Sequence, residues 1–436
     1  MGVVRLKVEV VVAGSGPGGA TVAMRLAQAG KDVLLLEKGR DHRWVGNHLA
    51  ALSYMDKRGL NWTEEGLNVV RAVTTGGSTM VYCGSATEPP AWLKTRYGVD
   101  LDRFVVETIA ELNLEPLPDE SLGEGAFRIM EAADELGFRF EKLRKFIDPK
   151  KCRVRCGGTC MLGCPYGAKW SAREYIRAMV EAGGRLITRA DVQQVTIKDG
   201  EARGLTALTP GGLLEVEAGT VVISAGGLGT PAILQKSGLD EAGVGLFLDP
   251  LVFVTGVSRH PGTCLSPPMS IGTYEFLEEG LLISDLIDPW ALWLIMAFLR
   301  NRSRLVDFLA YRRQLGLMVK IGDNREGFVG LDGRISKPLT ARDRRRLNTG
   351  AAISRRILIR AGCDPRTIIV GPVRGAHPGS TARIGEVVDE NLQTRIKNLY
   401  VCDASVIPEA MDRPVVLTAI CLGKRLAEHL SRTKTG

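Results

Sequence analysis

The stretch that most constrains this chain is its beginning, Val8 to Gly39, which reads VEVVVAGSGPGGATVAMRLAQAGKDVLLLEKG. A valine-rich run, Val8 to Val12, enters the turn Gly14-Ser15-Gly16-Pro17-Gly18-Gly19; a segment with helical apolar spacing follows, and a second aliphatic run ends on Glu37. Strand, glycine turn, helix and strand in that order make a βαβ unit and predict an α/β fold around a parallel sheet. Gly14 permits the tight turn, Gly16 lets the backbone approach a pyrophosphate at the helix N-terminus, and Gly19 lets helix and strand pack closely. Glu37 is placed to accept the hydroxyls of an adenosine ribose and disfavours a 2′-phosphate. The motif therefore predicts FAD or NAD, not NADP, and leaves the choice between the first two open.

With 436 residues, 45% hydrophobic and 24% charged, the chain can bury a large core and is expected to form two interleaved lobes. No uncharged apolar run approaches the ~20 residues that cross a bilayer, so the expected location is cytoplasmic. The 57 Lys and Arg against 49 Asp and Glu leave a charge of +8, partly in the patches Arg342 to Arg346 and Arg355-Arg356. No aromatics are interleaved with them, so they read as a solvated helix face or a surface toward anionic lipid, and nucleic acid is not an expected partner. Leu281 to Leu299 is the most apolar region, interrupted by Asp285, Asp288 and Pro289. Its uncharged part, Trp290 to Leu299, reads as a core helix or the wall of a pocket. The competing reading is a helix dipping into an interface beside Arg300, Arg302 and Arg304, with peripheral contact at the cytoplasmic face of the membrane.

Further along, Thr75-Gly76-Gly77-Ser78-Thr79 is small enough for the backbone to pass close to a flat ligand. Ser121 to Leu136 and Ser171 to Ala182 have helical spacing. Val192 to Ile197, Gly204 to Leu208, Leu213 to Glu217 and Val221 to Ser224, separated by Lys198-Asp199-Gly200 and Pro210-Gly211-Gly212, predict a β-meander returning to the parallel sheet. Asn398 to Ser405 predicts a last strand and Pro414 to Leu430 a closing amphipathic helix.

Several of these stretches together resemble the glucose-methanol-choline (GMC) oxidoreductases, a family of FAD enzymes. The likeness is carried by the opening βαβ unit, Gly76 to Thr79, Gly226-Gly227-Leu228-Gly229-Thr230-Pro231 through Leu239, His377-Pro378-Gly379-Ser380-Thr381, and Asn398-Leu399-Tyr400-Val401-Cys402-Asp403-Ala404-Ser405. It implies a Rossmann-like FAD-binding domain interleaved with an α+β substrate-binding domain. The expected division gives 1–90, 185–245 and 380–436 to the first domain, and 91–184 and 246–379 to the second. It also implies that Glu37 holds the ribose, that Gly77, Ser78 and Thr79 pass near the flavin, that Val192 touches the adenine and that Asp403 bonds the ribityl-pyrophosphate region. Lys38, Ala225 and Ala404 complete the expected cofactor contacts. His377 is the candidate base, since taking a hydride from an alcohol needs a proton acceptor within ~3 Å of the hydroxyl. The chain departs from the family at Met411-Asp412-Arg413-Pro414-Val415, where a second His or an Asn is usual, and at Tyr82, where the family has Asn. Arg413 can orient an oxygen but cannot take a proton.

Four of the nine cysteines fall at Cys152, Cys156, Cys160 and Cys164, the last followed by Pro165. Glycines break the run into a loop. Its end matches the C-x3-C-P tail of ferredoxin runs, while the first two gaps are one residue longer. An iron-sulfur cluster, tetrahedral zinc and unmetallated thiols all remain open. The expected function is an FAD-dependent dehydrogenase taking a hydride from an alcohol carbon of a lipophilic substrate and passing electrons to an acceptor such as a quinone or a carrier protein. A carbon-carbon double-bond reductase or desaturase acting on an isoprenoid or enone, and a flavin-bearing electron-transfer or assembly partner, are the alternatives.

Overall fold

The glycine turn joins β1 (Gly2–Ala13), α1 (Pro17–Gln28) and β2 (Val33–Glu37), as the opening motif requires. A computed structural model describes residues 2–153, 159–263, 266–294 and 310–432. The first of its two main sheets has seven strands. Six run in the order Arg185–Thr188, β2, β1, Gly212–Ile223, Glu201–Thr209 and Asp191–Lys198, and Leu399–Val401 pairs with the end of Gly212–Ile223. The neighbours of β1 and β2 are parallel, and the other two strands are an antiparallel meander. Val10, Val11, Val12 and Ala13 are all buried, as a central parallel strand covered on both faces demands. The meander turns on Asp199 and Gly200, both at positive φ (53° and 75°), which suits a two-residue hairpin.

Two expectations about strands need correction. β1 begins at Gly2 rather than Val8, because Gly2 to Lys7 pair in register with Gly212 to Glu217, with ion pairs Arg5–Glu215 and Lys7–Glu217 across the two strands. The short strands expected at 213–217 and 221–224 are one strand, Gly212–Ile223. Its first half pairs antiparallel with Glu201–Thr209 and its last residues pair parallel with Leu399–Val401, so no break is needed.

The second sheet is built on the antiparallel strands Pro250–Val257, Gln314–Ile321, Leu281–Asp285 and Ile271–Thr273, with the short pieces Asn68–Val69, Arg374–Gly375, Ile369–Val370 and Glu141–Lys142 at its margins. The helix Ala341–Arg360, started by a reciprocal Thr340–Asp343 capping box, packs on it at Gly350, where an added Cβ would lie 2.3 Å from Val319. Arg342, Arg344, Arg345, Arg355 and Arg356 occupy its exposed face. The apolar region from Leu281 divides into a strand and a helical piece. Leu281–Asp285 is a fully buried strand, a short helical piece covers 290–294, and residues 295–309, including Arg300, Arg302 and Arg304, lie outside the described residues. Asp285 explains the break, since its carboxylate accepts from Ser270 N (2.7 Å) and Ile271 N (2.8 Å) and fixes the strand edge. Among the described residues no helix is long and apolar enough to cross a membrane.

The helices at Glu124–Asp134, Arg173–Glu181 and Val416–Arg432 fall where the spacing places them, shortened or shifted at the ends. Two helices of the 91–184 stretch pack with the first sheet. Phe104 and Val105 of Asp102–Leu112, and Tyr175, Ile176 and Met179 of Arg173–Glu181, join the same apolar cluster as β1 and α1. The two helices thus belong to the first core, because they cover the outer surface of α1 and of Val416–Arg432.

The start of α1 meets its neighbours with almost no side chain between. An added Cβ would lie 2.1 Å from Cys402 O at Gly18, and 2.2 Å from Gly14 O at Gly19. Gly19→Ala should therefore push α1 outward, costing about 1–3 kcal/mol and lowering the content of bound dinucleotide. Thermal unfolding and the ratio of dinucleotide to protein after purification check both effects.

Candidate active site

The glycine turn, the start of the helix Gly226–Lys236, the Gly77–Met80 turn and the 376–378 segment converge on one cavity of about 360 Å³. Gly14 is at φ 109° and Gly77 at φ 56°, conformations that side chains disfavour. A Cβ on Gly77 would lie 3.0 Å from Gly16 Cα, so the two turns meet backbone to backbone. The N-cap of α1 is Gly16, with Pro17 next, no side-chain cap and no acid in the first turn. The positive end of α1 is left for a ligand anion, and the cavity fits a dinucleotide pyrophosphate on this ground.

Most of the predicted site residues line this cavity: Gly14, Gly16, Glu37, Lys38, Gly77, Ser78, Thr79, Val192, Ala225, His377, Asp403 and Ala404. Gly19 does not, and acts through packing. Glu37 and Asp403 are engaged by the chain more than expected. Glu37 accepts from Ser15 N (3.1 Å), Ser15 Oγ (2.6 Å) and Gly39 N (2.7 Å), which leaves about one of its four acceptor positions for a ribose hydroxyl. Burial raises its pKa, partly offset by these bonds and by Arg71. Asp403 accepts from Gly226 N (2.8 Å), Thr230 Oγ1 (2.6 Å) and Ser405 N (2.7 Å), so it fixes the start of Gly226–Lys236 as well as lining the cavity. Lys38 pairs with Asp191 at 3.1 Å, beside Val192.

His377 faces the cavity with its side chain 23% exposed, and its Nδ1 lies 3.1 Å from Asp249 Oδ2. The same oxygen lies 2.8 Å from Lys320 Nζ, and Asp249 and Lys320 are almost fully buried. Burial, reinforced by the Lys320 charge, holds the imidazole well below its usual pKa. The histidine is neutral near pH 7. With Asp249 as acceptor at Nδ1, the proton is assigned there and Nε2 is the basic nitrogen. Arg413 does not line the cavity; its Nε donates to Asp412 Oδ1 at 2.7 Å, and both charges act on Lys320.

The cysteine loop supports the flavin-side turn through a lysine the sequence did not single out. Lys169 Nζ is buried and donates among Thr79 O (3.3 Å), Met80 O (3.0 Å), Tyr82 O (2.8 Å) and Cys160 O (2.8 Å). Cys160 is buried and Cys152 and Cys164 half-buried, all three packed into the core of the second sheet, while Cys156 lies outside the described residues. Among the described residues no three His, Cys, Asp or Glu side chains are grouped to hold a metal ion. Arg71, Asp249 and Lys320 also went unmarked, since each lies outside any motif and gains its place only through distant partners. Arg71 lines the cavity and pairs with Asp56 at 3.3 Å.

Sequence profiles described as GMC oxidoreductase match residues 60–250 and 334–423, and one described as an FAD binding domain matches residues 9–64. The chain belongs to the GMC oxidoreductase family. This member is an FAD-dependent oxidoreductase acting on CH–OH donors, which resolves the choice that the glycine turn left open. It is 28% identical to an uncharacterized protein of Methanocaldococcus jannaschii over 97% of this chain and 99% of that one. It is 24% identical to a long-chain-alcohol oxidase of Arabidopsis thaliana over 98% of this chain and 69% of that one. Its fold superposes on pyridoxine 4-oxidase from Mesorbium loti with a TM-score of 0.72 at 18% identity, over 97% and 99% of the two chains.

Burial pushes the Lys169 ammonium down to about 8, against the pull of Cys160 and Cys83. Lys169→Met leaves buried carbonyls unpaired and should destabilise the protein by roughly 2–4 kcal/mol. Because the folded pKa lies below the unfolded one, the unfolded chain binds more protons between about pH 8 and 10.4, and the lysine's net contribution rises with pH. The stability gap between wild type and variant should widen by up to about 3 kcal/mol over that window, read from chemical denaturation at several pH values.

Proposed function

We propose that this GMC oxidoreductase oxidises an alcohol carbon of a lipophilic substrate, with His377 as the base. The observation that carries the reading is a neutral imidazole on the wall of the FAD cavity whose Nδ1 is already taken up by Asp249. Nε2 accepts the hydroxyl proton as the carbinol C–H leaves with its electron pair, and the alcohol becomes a carbonyl. FAD, when bound, supplies the acceptor for that hydride. Gly77 to Thr79 and Ala225 to Gly227 line the cavity with glycines and small side chains, so the cofactor would be held there without a bulky group intruding.

The lipophilic substrate is supported by what adjoins His377. Ala376 packs into an apolar cluster of Leu251, Phe253, Met269, Leu282, Leu286 and Met318, joined by Met161 and Tyr274. Methionine thioethers adapt to apolar ligands of varied shape. The similarity to a long-chain-alcohol oxidase points the same way. A double-bond reductase would need a proton donor near the flavin, whereas His377 is held unprotonated, which favours alcohol oxidation. Electrons leave to a quinone or carrier protein in this reading, since the chain carries one dinucleotide fingerprint.

Anaerobic mixing with 1-dodecanol should bleach the flavin faster than mixing with glucose, and His377→Ala should slow that bleaching by about 10²–10⁴-fold while keeping its FAD. Stopped-flow absorbance at the flavin band gives both rates. An alanine variant that bleaches at the wild-type rate removes His377 from the reaction.

A further inference from the structure

Behind His377 lies a line of buried charges that the dinucleotide site does not use. Asp249 Oδ2 is 3.1 Å from His377 Nδ1 and 2.8 Å from Lys320 Nζ, with the aspartate 0% and the lysine 1% exposed. The segment carrying Asp249 is fastened from both sides. Asp323 accepts from Leu248 N (3.2 Å) and Asp249 N (3.0 Å) and is itself paired with the fully buried Lys337 at 2.7 Å. Leu248 O in turn accepts from Ala376 N (2.8 Å) and His377 N (3.2 Å), so aspartate and histidine are held by main chain as well as by side chain.

Two features set Asp249 apart from a structural ion pair. Its backbone is at φ 46°, a left-handed conformation that costs a non-glycine residue about 1 kcal/mol. Its Oδ1 is buried without a hydrogen-bond partner among the described residues. A carboxylate kept only to pair Lys320 would be expected to sit unstrained and fully bonded. The strained backbone turns Oδ2 toward both His377 Nδ1 and Lys320 Nζ and leaves Oδ1 unbonded, so the carboxylate is placed for the imidazole rather than for its own full satisfaction.

We propose that Asp249, neutralised by Lys320, is a positioning residue that holds His377 as the Nδ1–H tautomer with a basic Nε2. This deepens the reading of His377 as base and rests on it. In the resting site the Asp249–Lys320 pair carries no net charge, so the imidazole is not drawn to protonate early. When Nε2 takes the hydroxyl proton, the imidazolium lies against the carboxylate, which offsets the new charge until the proton passes to solvent. Lys320 sets the poise. Besides Asp249 and His377, the charges that bear on it are Asp412 and Arg413, and Lys337 and Asp412 bear on Asp249. Burial pushes the Asp249 carboxyl up to about 7 although Lys320 pulls it down, so the pair sits close to the point where a proton is exchanged.

The FAD-loaded enzyme labelled with 15N-histidine tests this without a substrate, because long-range 15N–1H spectra read the tautomer and charge of each of its five histidines. Wild type should show His377 as neutral Nδ1–H at pH 8, where Asp249 is ionised and accepts from Nδ1. Asp249→Leu/Lys320→Met removes both charges together and should move the proton to Nε2. Lys320→Met alone should raise the pH at which the His377–Asp249 pair takes up a proton by at least one unit, and move the pH profile of flavin bleaching by 1-dodecanol in the same direction. A His377 that is Nε2–H in wild type, or that keeps its tautomer in the double variant, overturns the role of Asp249. A tautomer that moves as expected while His377→Ala bleaches at the wild-type rate overturns instead the reading of His377 as base, and the positioning role with it.

Discussion

Main chain meeting main chain, with no side chain between, is the constraint on which this molecule depends. The turn at Gly14 to Gly19 lies against Ser224 and Cys402; at Gly227 an added Cβ would lie 2.1 Å from Pro378 O. These contacts draw the start of α1, the start of Gly226–Lys236, the last strand and the His377 turn to one place. They also leave the N–H groups at the start of α1 with no side-chain cap, which suits an anionic cofactor and no apolar one. A Cβ at any of these positions would separate elements far apart in sequence, so the cofactor cavity and the sheet packing are a single structural fact.

The second half of the architecture is held by buried ammonium groups. Lys145 donates to Cys83 O, Pro268 O and Met269 O, and Lys169 gathers the carbonyls of Thr79, Met80, Tyr82 and Cys160. Lys320 and Lys337 take carboxylates instead. Desolvating an ammonium costs several kcal/mol, and close ligation by carbonyls or a carboxylate offsets that cost. The gain is in definition more than in stability. Loops such as 79–85 and 268–270, too short of regular structure to fix themselves, are given one arrangement. Arg374 and Asp288, joined by two 2.7 Å bonds, fasten the 285–290 segment to the strand before His377 in the same way.

The βαβ unit, the meander and the closing helix were legible because each is written in local chemistry: an aliphatic run, a glycine turn, a period. The residues that line the cavity were legible for the same reason, since they cluster at strand ends and turns that the motifs mark. Leu281–Asp285 was not legible as a strand because a short apolar run has the same look in a buried strand as in a helix, and only pairing with Gln314–Ile321 decides between them. Which core Asp102–Leu112 and Arg173–Glu181 join was not legible, because it is decided by the surface they cover, which spacing does not reveal.

By itself, then, the sequence determined the parallel sheet, the dinucleotide turn and the histidine worth watching, since glycine content and apolar period act within a few residues. Tertiary structure alone decided what surrounds that histidine. Asp249, Lys320 and Asp412 are 128, 57 and 35 positions from it in the chain, and a charge acquires its influence from distance in space and from exclusion of water. Neither quantity exists before the two sheets close on one another.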